Sequence, residues 1–127
     1  MYRFFNNNPV ANRTGDCAVR AVSLAINESW DSTYLLIALA GMQMGDSMEK
    51  NYVWGSLLRR NGFIRESLPN LCPDCYTVRM FAEDHPKGTY VLGLDRHVVT
   101  LKDGDWYDLF DSGDETVVYV WYRKEEA

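Results

Sequence analysis

Three residue types in this chain have the setting for thiol chemistry. Cys17 stands in NRTGDCAVRAVSLAIN, where a polar, turn-rich lead-in passes straight into an apolar helical pattern. A cysteine near a helix start is by default a small core residue. The first turn of a helix also presents unpaired N–H groups and a partial positive charge. These stabilise a thiolate and can receive an oxyanion formed beside the sulfur. A nucleophilic thiol needs a base within hydrogen-bond reach, and the chain holds two histidines. His85 precedes Pro86 in the charged turn EDHPKG and reads as a surface residue. His97 opens the apolar run HVVTL, where a backbone carbonyl could equally satisfy it. Across the turn from it lies WYDLFDSG, with Asp108 and Asp111. A carboxylate that holds the imidazole in one orientation is the third part of such machinery.

Hairpin register decides which carboxylate serves. A two-residue turn at Asp103-Gly104 pairs Lys102 with Asp105, Val99 with Asp108 and His97 with Phe110. Asp108 then shares the face of His97, one diagonal step away. A three-residue loop with a bulge at Gly104 moves Asp111 to that face instead. Asp-Gly at the tip favours the tight turn, so Asp108 is the expected orienting group and Asp111 the alternative.

These residues must be positioned by a helical half and a β half. Residues 1–15, with three consecutive Asn, a Pro and a Gly, read as an irregular lead-in. From Cys17 the spacing of Val19, Val22, Leu24 and Ile26 predicts a helix of about three turns. Ser29 or Asp31 can cap a second helix, WDSTYLLIALAGMQMG, apolar enough to be largely buried. A third, NYVWGSLLRR, stops at Asn61-Gly62. Met42, Met44 and Trp54 read as core. Leu68 to Cys75 is loop, and Thr77 caps a short helix, VRMFAED, that ends before His85-Pro86. After Gly88 the β-branched and aromatic runs TYVLGL, HVVTLK, DWYDLF and VVYVWYRK alternate with Asp/Gly turns. Helices first and an antiparallel sheet last make an α+β order. The 127 residues suit one domain, 1–127.

The order of these motifs resembles papain-like cysteine peptidases. GDCAVRAVS followed by GTYVLGLDRHVVTLKDGDWYDLFDSG is similar to a group of small papain-like proteins encoded by bacteriophages and Firmicutes. The resemblance spans nearly the whole chain. It implies a papain-like fold, with N-terminal helices packed on a C-terminal antiparallel sheet and the active site between them. It implies a Cys17 nucleophile, a His97 general base and acid, and Asp108 or Asp111 as orienting group. It also implies that Asn12, five residues before the cysteine, lends its amide to the oxyanion hole. A turn residue is the alternative reading of Asn12. The activity implied is hydrolysis of a peptide or isopeptide bond in a peptide or protein substrate, through an acyl-thioester and with no metal or organic cofactor.

Other classes are narrowed by composition. The net charge of −5 argues against a general nucleic-acid binder, and no apolar run reaches the length of a membrane span. MYRFFNNNPVANR lacks a signal-peptide core, so a cytoplasmic protein is expected; the resemblance implies that it is encoded by a bacterial host or a phage. Three cysteines in a reducing compartment make a disulfide framework unexpected. Cys72-Pro73-Asp74-Cys75 has zinc or thioredoxin spacing, but too few further ligands for zinc and no preceding strand for a redox motif. Arg20 can pair with Asp16 or with a sheet carboxylate. Two further function classes remain open: a silent papain-fold binding module, and acyl transfer of the transglutaminase kind.

Overall fold

The computed structural model describes residues 1–123. Helix α1 (Cys17–Ile26) ends where Asn27 turns left-handed, φ 59°. Helix α2 (Trp30–Met44) starts at Ser29, whose hydroxyl accepts from Ser32 N–H at 3.1 Å, the usual way to satisfy an orphan donor. Helix α3 (Asn51–Arg60) follows, then α4 (Val78–Asp84), capped by Thr77. The strands are β1 (Tyr2–Phe4), β2 (Phe63–Ser67), β3 (Thr89–Leu94), β4 (His97–Lys102), β5 (Asp105–Asp108) and β6 (Tyr119–Arg123). Lys124, the last residue of the expected final strand, lies outside the described residues, as do residues 125–127.

The fold is α+β, with a six-stranded sheet in the order β1-β5-β4-β3-β6-β2. Alternation along each strand sorts side chains onto two faces. Val91, Val98, Tyr119 and Trp121 meet α1, α2 and α3 on one face. Leu92, Val99, Leu101, Trp106 and Val120 meet α4 on the other. Among the described residues no helix is long and apolar enough to cross a membrane.

Several sequence expectations are corrected here. The sheet is mixed rather than antiparallel: β1 forms within the expected lead-in and runs parallel to β5, Tyr2 beside Trp106 and Phe4 beside Asp108. β2 was not foreseen, because FIRES buries only Phe63; it is an edge strand held by backbone pairing to β6. Helix α2 is not largely buried. It packs on α1 and α3 through Thr33, Ile37, Ala40 and Gly41, and leaves Leu35, Leu39, Met42 and Met44 exposed. Trp54 is core, 2% exposed. His85 is half-buried rather than a surface residue, stacked on Phe81 at 3.9 Å between ring centres. Cys72 and Cys75 form a disulfide. The Pro73-Asp74 turn brings their Cα atoms to 4.1 Å, which makes this pairing local and not a framework.

Candidate active site

The hairpin takes the tight register. Lys102 pairs with Asp105, Leu101 with Trp106 and Thr100 with Tyr107, around Asp103 and Gly104 at φ 48° and 84°. Both turn residues being left-handed is the requirement that Asp-Gly meets most easily. The β4–β5 ladder stops at Thr100–Tyr107, before it reaches His97. Helix α1 packs on β4: Thr100 Oγ1 donates to Ala21 O at 2.6 Å, and Cys17 lines one cleft with His97 and Val98.

Beyond the end of the β4–β5 ladder His97 Nε2 meets Asp108 Oδ2 at 2.6 Å, the partner that the tight register favours over Asp111. With Nε2 so occupied, Nδ1 is the nitrogen left for the Cys17 thiol, which lines the same cleft as His97. The imidazole packs on Phe110, ring centres 5.0 Å apart. Asp108 is completely buried and fully engaged. Ser112 Oγ donates to its Oδ2 at 2.9 Å, Leu109 N–H to its Oδ1 at 2.8 Å, and the Arg20 guanidinium lies 3.4 Å from Oδ1. Arg20, itself 4% exposed, holds Asp16 Oδ1 at 2.6 Å. Asp16 Oδ2 accepts from Trp30 Nε1 at 2.9 Å. Arg20 therefore makes both of the pairs its sequence position allows, to Asp16 and to a sheet carboxylate.

This network explains an anomaly at the start of α1. Asp16 stands at the N-cap position, yet its side chain caps no N–H. Its carboxylate is turned away to Arg20 and Trp30, which leaves the first-turn N–H groups beside Cys17 for a ligand.

The ionisation of the pair follows from these contacts. For His97, burial of the ring opposes protonation and is the largest single influence. The Asp108 hydrogen bond, the Cys17 bond and the charges on both outweigh it, raising the pKa to about 9. For Cys17, burial likewise works against the charged form. The bonds from His97 and the Val98 backbone, with the His97 and Arg20 charges, outweigh it and bring the thiol below its ordinary value. Both shifts run in the direction that favours a thiolate–imidazolium pair.

Asp111, the alternative orienting group, is not at His97. It accepts from Trp106 Nε1 and Gly113 N–H, both at 2.9 Å, and braces the loop after β5. Asn12 is also not brought to the thiol. It is exposed, its carbonyl accepts from Asn6 Nδ2, and it lines not the Cys17 cleft but a depression adjoining it at Gly15, Ala18 and Glu49. Asn12 sits in the loop Asn6–Gly15, whose short-range bonds among Asn side chains and backbone hold it out of the cleft. Ser112 was missed by sequence reasoning; only its place four residues after Asp108 in the same loop could have signalled it.

Cys17 and His97 open into a cleft of about 420 Å³ with Trp54, Leu94, Asn51 and Tyr119 in its walls. No family model, curated protein or solved structure matches the chain. The reading of the site therefore rests on its geometry. That geometry is a free thiol at a helix start and an imidazole, both lining one cleft, with a buried carboxylate behind the imidazole.

Proposed function

We propose that the protein is a papain-like thiol hydrolase acting on an amide bond of a peptide or protein. The observation that carries this reading is the chain Cys17–His97–Asp108. In it the one free cysteine meets an imidazole whose far nitrogen is held at 2.6 Å by a fully buried carboxylate. The Cys17 sulfur gives its proton to His97 and attacks the carbonyl carbon. The oxyanion is received by first-turn N–H groups of α1. His97 then protonates the departing amine, leaving an acyl-thioester on Cys17. Water, deprotonated by His97, attacks that thioester; the acid leaves and the thiol is restored. The assignment to peptide or isopeptide bonds is by analogy with papain-like domains.

One observation favours a second reading. Asn12, the expected side-chain donor for the oxyanion, is outside the cleft, as suits a fold retained for binding alone. The two readings separate in one experiment. Limiting iodoacetamide near neutral pH labels Cys17, and His97→Ala slows it by about tenfold or more. Acid-quenched incubations with pooled peptides then show an acyl adduct on Cys17, or cleavage that Cys17→Ala abolishes. Cys17 labelling indifferent to His97, with no cleavage, refutes the hydrolase.

A further inference from the structure

The Cys17 cleft continues past the nucleophile. Asn51 and Tyr119 line it and also line a second depression of about 260 Å³ beside α3 and the β6–β2 edge. The walls of that depression carry Arg59 and Arg65. The Arg59 guanidinium lies 4.9 Å from the Trp121 ring centre, and that of Arg65 lies 4.1 Å from the Tyr119 ring centre. Stacking on a ring holds a guanidinium in place while its N–H edge stays open to an acceptor. Arg65 makes one long side-chain contact, 3.4 Å to Ser67 Oγ, and neither arginine has an ion-pair partner among the described residues. Both arginines are exposed; what sets them together is that they line one depression, each with its guanidinium over an aromatic ring.

Tyr119 is the bridge between the two depressions. Its ring covers Gly93, where a Cβ would fall 2.1 Å from ring atoms. Gly93 pairs with Val98, which lines the cleft together with Cys17. From Val98 to Tyr119 is two strand spacings, about 10 Å, the span of roughly three residues of extended peptide.

We infer that this depression is a subsite for a carboxylate of the substrate, an acidic side chain or a chain terminus, about three residues from the scissile bond. The inference rests on the hydrolase reading for its substrate, but its test does not need turnover. The full chain is alkylated at Cys17 with iodoacetamide in the presence of three hexapeptides. One carries acidic side chains and blocked ends. Another is neutral with a free C-terminal carboxylate, and the last is neutral with both ends blocked. At least one carboxylate peptide should protect Cys17 at about tenfold lower concentration than the doubly blocked peptide; which one does so identifies the source of the carboxylate. The preference should weaken in high salt and vanish in Arg59→Gln/Arg65→Gln, with the unprotected alkylation rate unchanged. Equal protection by all three peptides, protection by none, or a preference that survives the double substitution overturns the subsite. So does protection by a single-stranded oligonucleotide in place of the acidic peptides. Loss of the His97 dependence alone sinks the hydrolase while leaving a carboxylate preference measurable, so the two failures are distinguishable.

Discussion

Replacing Asp108 by Asn tests whether the buried carboxylate sets the chemistry of Cys17. The side chains are nearly isosteric: an amide oxygen at the Oδ1 position keeps the Leu109 N–H, and the amide nitrogen at the Oδ2 position can donate to the Ser112 hydroxyl, which also accepts. Arg20 keeps Asp16 at 2.6 Å. What disappears is the negative charge 2.6 Å from His97 Nε2. The rise of His97 from 6.5 to about 9 corresponds to about 3 kcal/mol of preference for the imidazolium. The ring is partly exposed, so screening reduces this to about 2 kcal/mol. Asp108 heads the raising causes and Cys17 supplies the rest, so the substitution should cost about 1–2 kcal/mol of imidazolium stability. With less imidazolium beside it the thiol holds its proton to higher pH. Cys17 alkylation between pH 6 and 7 should therefore fall by about tenfold, while the step that reports His97 deprotonation moves down from about 9. The assay is the alkylation rate of Cys17 across pH, read by mass spectrometry beside a thermal melt. A folded Asp108→Asn protein whose pH profile superimposes on the wild type would falsify the argument and reduce Asp108 to a structural ion-pair hub.

Three further outcomes are expected. Arg20→Met strands Asp16 and Asp108 without their shared cation and should lower stability in denaturant titration by about 3–5 kcal/mol, far more than an exposed arginine would. Asp111→Ala should leave the Cys17 pH profile unchanged to within about twofold, while tryptophan fluorescence reports the lost Trp106 Nε1 bond. Because the folded pKa of His97 lies above its ordinary value, its contribution to stability is complete below pH 6.5 and is lost as pH rises through about 9. Melting temperature should decline across that window, and less so in His97→Gln; equal decline in both assigns the loss to other groups.

Local chemistry made much of this protein legible from its residues. Cys17 follows a polar turn and begins an apolar helical pattern, so its place at a helix start follows from periodicity. Asp103-Gly104 meets the left-handed requirement of a tight hairpin turn, so Asp108 could be preferred over Asp111 before any coordinates. Those are short-range constraints, written within a few residues of where they act. What lay beyond reach was decided by partners distant in sequence. The segment YRF becomes a strand because β5 offers an unpaired edge, and FIRES because β6 does; neither carries a strong pattern of its own. An apolar run like α2 does not say that only one stripe will find neighbours. Asp16, a good helix cap by type, is drawn off by Arg20 and Trp30, and Asn12, well spaced for an oxyanion, is held out in its own loop. Residue type and spacing determined which groups could react. Tertiary packing decided which of them meet, because hydrogen bonds and charges are satisfied by whichever partner the fold brings within about 3 Å.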